Sequence, residues 1–476
     1  MHRLPTGFPI KGSIMKSNIL LKKKVHILTL GCKVNQYESD AMYEAFFAAG
    51  AERGEENDAD ICIINTCSVT NTADRKSRQM ISKLRKENPE ALIVATGCYV
   101  QAVANRSQFD DKNVTAEIKT GSMSGKTRAG DYGKDEIDAD LIVGNNRKRD
   151  MVRLVESYLS GQPVSDSIID INRDPEFEDL RIRMPETHTR SYLKIQDGCN
   201  SFCTYCIIPY VRGRIRNKSI EAIVDEVQTL ADSGVKELVL TGINISSFGD
   251  IGDLSLADVV CRIHGIPGIE RIRLGSLEPR VLTGEFLQRM KEMPKVCPHF
   301  HLSLQSGCDS VLKRMNRHYT TADIRTIVDR LRRYYDRPAL TSDIIVGFPG
   351  ETEEEFETTY RTLEDLNLYE MHVFPYSRRK GTAADRMDGQ LPESVKKERV
   401  RKLLELKTRQ MAAYEASFDG EPLQVLVEEI VDTKNGPCYR GHTERYILVD
   451  VPCRELGDEQ PDSGRINTII SAPEKK

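Results

Sequence analysis

Short apolar runs, each closed by a glycine or a polar residue and followed by a helical pattern, recur through most of this 476-residue chain. Strands that alternate with helices imply parallel pairing, because each crossover helix returns the chain to the same end of the sheet. Val25-His26-Ile27-Leu28-Thr29-Leu30 closes on Gly31-Cys32, the run 60–65 on Thr66-Cys67, and the run 91–95 on Thr96-Gly97-Cys98. Leu141-Ile142-Val143-Gly144 reads as a fourth strand. A helical pattern covers 38–49, and a basic helix carries Arg75, Lys76, Arg78, Lys83, Arg85 and Lys86. In a parallel sheet the C-terminal strand ends share one edge, so Cys32, Cys67 and Cys98 converge although they are far apart in sequence. Cys62 lies within its strand and reads as core.

A charged stretch with Pro175 and Pro185 spans 165–186 and reads as a linker. Beyond it the alternation resumes. Strands are expected at 192–195, 237–240, 271–274, 300–304, 340–346 and 370–374. Six strand–helix units make an open, partial TIM-type (β/α)6 barrel with its site at the C-terminal rim. The loop after the first of these strands holds Cys199, Cys203 and Cys206. A cysteine-x2-cysteine pair is compatible with zinc, a redox disulfide or plain buried thiols. Tetrahedral zinc wants four ligands, whereas three thiolates on one loop suit three corners of a four-iron, four-sulfur cluster with its fourth iron open.

The net charge of −4 does not announce a nucleic-acid binder, so any such contact rests on local basic groups. Three groups qualify: Arg212, Arg214, Arg216 and Lys218 beside the cysteine loop; Arg378, Arg379 and Lys380 at the last strand's end; and Lys396, Lys397, Arg399, Arg401 and Lys402 on a helix over 393–417. At the C-terminus, strands at 423–427 and 447–451 flank Gly436-Pro437-Cys438-Tyr439-Arg440-Gly441-His442-Thr443, and suggest a small β-barrel. The expected organisation is an extension (1–23), an α/β domain with a parallel sheet (24–164), the linker (165–186), the barrel (187–416) and the β-barrel domain (417–476). The polar stretch between Gln101 and Asp138 reads as a surface insertion, and Gly125-Lys126 lacks the spacing of a phosphate-binding loop. His301 and His372 read as core histidines, and Cys261, Cys297, Cys308, Cys438 and Cys453 as plain thiols. There is no signal pattern and no run of about 20 apolar residues, so a cytoplasmic monomer without membrane contact is expected.

Cys199-x3-Cys203-x2-Cys206 with Tyr205 before the last cysteine resembles the signature of radical S-adenosylmethionine enzymes. The resemblance implies that the open iron chelates S-adenosylmethionine and that an electron from the cluster cleaves it to a 5′-deoxyadenosyl radical. It also implies cofactor contacts at Thr241, Gly242, Asn244, Ser276, Glu278, Gln305, Gly347 and Gly350. Thr29-Leu30-Gly31-Cys32-Lys33-Val34-Asn35-Gln36-Tyr37-Glu38-Ser39, Asn65-Thr66-Cys67-Ser68-Val69-Thr70-Asn71 and Thr96-Gly97-Cys98-Tyr99-Val100-Gln101 resemble the N-terminal domain of methylthiotransferases. In that family three such cysteines bind an auxiliary cluster. Val427-Glu428-Glu429 with the segment 441–446 resembles the RNA-binding TRAM domain, although this region is net acidic. Within the family, the words resemble the branch that methylthiolates C2 of N6-threonylcarbamoyladenosine at position 37 of tRNA. The implied equipment is two 4Fe–4S clusters, S-adenosylmethionine, a tRNA anticodon stem-loop, and flavodoxin or ferredoxin as electron donor. Two branches with other substrates, isopentenyladenosine in tRNA and a ribosomal-protein aspartate, are the alternatives. A zinc-holding RNA-binding protein without catalysis is the alternative of another class.

Overall fold

The computed structural model describes residues 18–110, 137–183, 189–434, 436–453 and 469–472. Most of the expected extension and the centre of the insertion, including Gly125-Lys126, lie outside the described residues.

The first sheet contains β1 (Lys24–Thr29), β2 (Glu52–Arg53), β3 (Ile61–Thr66), β4 (Leu92–Gly97) and β5 (Leu141–Val143). All its pairings are parallel, in the order β2-β1-β3-β4-β5. β3 and β4 are buried on both faces, which is why they read as unbroken apolar runs rather than alternating ones. One face packs Val25, Ile27, Ile61, Ile63 and Val94 under Met42, Phe46 and Leu154. The other packs Cys62, Ile64, Ile93 and Ala95 under Ile81, Leu84 and Tyr99. Because β2 and β3 lie on opposite sides of β1, the chain changes direction there, and the crevice of such a sheet opens at that switch. Cys32 follows β1 and Cys67 follows β3. Helix α1 (Lys33–Ala48) starts directly after Cys32, five residues ahead of the expected start. Gly31, at φ +107°, makes the tight turn that allows it.

β6 (Arg190–Lys194) opens the second unit. A two-residue ribbon follows, β7 (Gln196–Asp197) against β8 (Arg216–Asn217), which ties the two ends of the cysteine loop together. Then come β9 (Glu237–Thr241), β10 (Arg271–Leu274), β11 (His299–Gln305), β12 (Ala339–Val346) and β13 (Glu370–Pro375). They pair in parallel as β10-β9-β6 and β11-β12-β13. Parallel bridges Ile272–Val296 and Leu277–Leu302 join the halves. Leu193, Leu238, Leu240, Ile272, Leu274, Leu302, Leu304, Ile344 and Met371 point outward into the helix layer. Alternate residues therefore point into the lumen, and many of these are charged. The six strands form an open barrel.

The C-terminal sheet is antiparallel, with β14 (Leu423–Thr433), β15 (Gly436–Thr443), β16 (Leu448–Pro452) and β17 (Ile469–Ala472) in the order β16-β15-β14-β17. The segment 436–443, expected as a turn because of its glycines and proline, is a full strand of the β14–β15 hairpin. The turn lies ahead of it, and Pro437 sits at the strand's start, where a missing N–H is tolerated. The sheet docks on the N-terminal mouth of the barrel. Arg271 donates to the carbonyls of His442 (3.1 Å) and Gln424 (2.8 Å), Arg273 to those of Glu444 (2.9 Å) and Thr443 (3.3 Å), and Arg190 to the Tyr446 hydroxyl (3.0 Å). It thus closes the barrel end opposite the cysteine loop.

Candidate two-cluster site

The cysteine loop is clamped by backbone contacts. Cys199 N–H donates to the Gly213 carbonyl (3.1 Å), Thr204 N–H to Met315 (3.1 Å) and Ala384 N–H to Thr204 (2.8 Å). Gly198, at φ +71°, is required at its entrance, since a Cβ there would stand 1.8 Å from the Arg214 carbonyl oxygen. Cys203 is buried, and Arg317 Nη1 donates to its Sγ at 3.2 Å. Burial and then the neighbouring Cys203 push the Cys206 thiol up to about 12. A cleft of about 220 Å³ adjoins the loop, lined by Asn200, Ser201, Asn244, Glu278, Arg317 and Tyr319 among others.

Cys32 caps α1, Cys67 follows β3 and Cys98 opens helix α3 (Cys98–Asp110). Burial and then Cys98 raise the Cys67 thiol to about 12. Cys32 is open to solvent, yet the protein that rings it also raises its thiol. A Cβ on Gly31 would come within 2.9 Å of Cys67 Sγ, so the glycine leaves the space beside that sulfur free. Cys98 Sγ receives Arg212 Nε at 3.3 Å and Asn145 Nδ2 at 3.7 Å. All twelve cysteines are free. Among the described residues neither triplet has all three sulfurs mutually within 4.8 Å. One zinc bound at about 2.3 Å would need them roughly 4 Å apart. A cubane spreads its thiolates over separate irons, and both sets are all-thiol, the donor type such a cluster takes.

The two triplets share one interface. Cys98 packs in one apolar group with Ala102, Ile207, Ile208 and Val211, which directly follow Cys206. Beside them lies a buried ionic network. Glu38 of α1 meets Arg212 (2.7 Å), Lys194 (2.7 Å) and Lys148 (3.2 Å), and Lys194 also meets Asp197 at 2.6 Å. Burial alone would raise the Glu38 carboxyl, but Arg212, Lys148 and Lys194 outweigh it and hold it well below the usual range. Asp197 likewise sits low, burial being overcome by Lys194, Arg212 and Arg216. Sequence reasoning missed Glu38, Asn35 and Arg317. The one available signal was Lys194, a charge inside an apolar strand, which demands a partner.

Of the basic groups, several are not available to a phosphate backbone. Arg212 and Arg216 are buried, with Arg212 bound to Glu38, Asn35 and Cys98, and Lys218 is buried against Glu226. Arg379 is buried too, bonded to Asp74 (2.7 Å) and Ser68 (2.6 Å) across the domain interface. Lys396 and Arg399 are buried, Arg399 on Glu351 at 2.6 Å. Arg212, Arg379 and Arg399 read as surface in sequence because their acidic partners Glu38, Asp74 and Glu351 lie far along the chain. Arg214, Arg378 and Lys380 are exposed. Among the expected cofactor contacts, Asn244 and Glu278 line the cleft. Ser276 bonds Ser303 (2.7 Å) at the rim, and Gln305 ends β11 with φ +67°. Thr241 is buried at the end of β9, and Gly242 packs on Gln196. Gly347 packs on Lys396, and Gly350 N–H donates to Gly389 (2.8 Å). His301 and His372 are not core residues: they face the lumen, and His372 is exposed.

A three-thiol loop at the C-terminal rim of an open six-strand barrel defines a radical S-adenosylmethionine protein. Residues 193–363 match the radical SAM superfamily, and residues 24–118 match an uncharacterized family designated UPF0004. The threonylcarbamoyladenosine tRNA methylthiotransferase MtaB of Bacillus subtilis is 37% identical, over 88% of this chain and 88% of its own length. A tRNA-2-methylthio-N(6)-dimethylallyladenosine synthase of Acetivibrio thermocellus is 36% identical, over 94% of this chain and 89% of its own. The radical S-adenosylmethionine methyltransferase TsrM of Kitasatospora setae, solved with cobalamin and a 4Fe–4S cluster, shares the fold at TM-score 0.52 and 15% identity, over 76% of this chain and 77% of its own. The chain belongs to the radical SAM methylthiotransferase family. Its cofactors are S-adenosylmethionine and 4Fe–4S clusters.

Proposed function

We propose that this enzyme methylthiolates C2 of N6-threonylcarbamoyladenosine at position 37 of tRNA. The observation that carries the reading is the meeting of two three-thiol sets at one interface, Cys98 packing against the residues that follow Cys206. The domain limits expected from the sequence go with it, as do Cys32, Cys67 and Cys98 for the auxiliary cluster and Cys199, Cys203 and Cys206 for the radical one. Bound there, the clusters supply the electron that cleaves S-adenosylmethionine and hold the sulfur that is transferred. The chain's own residues orient these parts. Arg212 and Arg317 donate to Cys98 and Cys203 and fix those sulfurs. In this reading Asn244 and Glu278 meet the methionine end of S-adenosylmethionine in the cleft, with Thr241, Gly242, Ser276, Gln305, Gly347 and Gly350 around the rim. C2 of adenine is unactivated towards polar substitution, so the base must leave its stack and enter a site that excludes water. Exposed Arg214, Arg378 and Lys380 meet the phosphates of the anticodon stem-loop. Flavodoxin or ferredoxin supplies electrons, and the enzyme works as a cytoplasmic monomer.

Mass analysis of tRNA nucleosides from cells lacking the protein tests the substrate. Methylthiolated threonylcarbamoyladenosine should vanish. Its persistence in a strain without a paralogue would overturn the assignment.

A further inference from the structure

Strands β11, β12 and β13 lie side by side in one wall of the barrel. His301 on β11, Asp343 on β12 and His372 on β13 all face the lumen, and Asp343 and His372 are register partners. The ligand-capable atoms of all three lie within 4.8 Å of one another.

Bonding among the three does not account for this convergence. His301 Nε2 stands 3.4 Å from Asp343 Oδ2, beyond the usual N–H···O length. His372 Nδ1 stands 3.9 Å from Glu370 Oε1, too far for a hydrogen bond, and Glu370 is itself taken up by Lys407 at 2.8 Å. Among the described residues the Asp343 carboxylate and the His372 ring make no hydrogen bond. The gap of 3.4 Å suits an ion between the donors. Two atoms that far apart, each about 2.1 Å from one ion, subtend about 108° at it, close to the tetrahedral angle. The His301 ring is already set for this, because its other nitrogen, Nδ1, lies 2.9 Å from Thr341 Oγ1. Metal-bound histidines characteristically give their second nitrogen to such a partner, which fixes the ring and leaves Nε2 to ligate. His372 is exposed, so its ring has room to turn onto an ion that enters from solvent.

The set lies near the radical half-site but shares no residue with it. Two residues further along β11 is Ser303, whose carbonyl accepts from Arg317 (3.1 Å) and Tyr319 (2.6 Å), and Arg317 in turn donates to Cys203. Two residues of strand span about 7 Å, so the three side chains sit one step below the rim. We infer that His301, Asp343 and His372 bind a divalent transition-metal ion in the lumen wall, distinct from both clusters. Two imidazoles and one carboxylate suit zinc or iron(II), whereas magnesium and calcium want oxygen ligands. Three protein ligands leave at least one position open to water or to an oxygen of a molecule in the lumen.

The test uses full-length enzyme with its clusters loaded, given one equivalent of zinc. X-ray absorption at the zinc edge should show a nitrogen and oxygen shell at about 2.0–2.1 Å, with the multiple scattering of two imidazoles and no sulfur at about 2.3 Å. Iron should stay at about eight atoms per chain. Excess magnesium should not displace the zinc. His372→Ala and Asp343→Ala should lose the zinc at unchanged iron. Thr341→Val should keep the same shell and bind zinc roughly tenfold or more weakly. A sulfur shell in the wild type would put the zinc on cysteines and overturn the inference, and so would zinc left unbound. Zinc binding unchanged in both ligand variants would overturn it as well.

Discussion

Cys67 and Cys203 sit in separate triplets, so their loss should separate two activities. Cys67→Ala should keep reductive cleavage of S-adenosylmethionine and lose methylthiolation, while Cys203→Ala should lose both. Cleavage assays beside nucleoside analysis check this, with iron falling from about eight towards about four per chain in either variant. Arg212 belongs to the same scale. Its side chain joins Glu38, Asn35 and Cys98 in one buried network. Arg212→Met strands part of the Glu38 charge, and removing one partner of a buried pair costs about 3–5 kcal/mol. Urea denaturation should show that loss. Arg212 was read from the sequence as a phosphate contact. A residue's neighbours in sequence reveal its charge but not whether that charge is buried, because burial is decided by segments far along the chain.

Among the elements, the plug on the barrel's N-terminal mouth depends on Glu237. Burial would raise its carboxyl, but Arg273 and Arg190 bring it down to about 2. A carboxyl with a depressed folded value contributes stability above its ordinary value near 4.5 and loses it as pH falls towards about 2. The contribution at neutral pH is ~3 kcal/mol. Unfolding followed from pH 6 to pH 2 should show that loss in the wild type. Glu237→Gln should be weaker at neutral pH and flatter across the acid limb. Strand positions were largely legible, since outward apolar residues alternate with lumen residues. Strand β15 was hidden because its Gly436, Pro437 and Gly441 carry turn signals, and pairing with β14 overrides them.

For the whole molecule, the question is how two domains present two half-sites at a fixed distance. Glu38 with Lys194 and Arg212 forms one weld. The other joins the start of helix α2 (Asn71–Glu87) to the rim after β13. There Asn71 donates to Ser377 and Arg378, and Arg379 donates to Asp74 and Ser68. Arg379→Ala should loosen that side while leaving both clusters bound. Iron content and S-adenosylmethionine cleavage should hold, and methylthiolation should fall roughly tenfold or more, since misplacement of reacting groups is costly.

The sequence by itself determined the chemistry available. Cysteine spacing and position at strand ends do not depend on distant segments, so Cys199, Cys203 and Cys206, and then Cys32, Cys67 and Cys98, could be read as two sets before any fold was known. Only the tertiary structure decided which charges remain free. It consumed Arg212, Arg216 and Arg379 in buried pairs, closed the far mouth of the barrel with the C-terminal sheet, and left Arg214, Arg378 and Lys380 exposed. The physical reason is that a charge is engaged or free according to what lies within a few ångströms of it, and only the folded chain sets those distances.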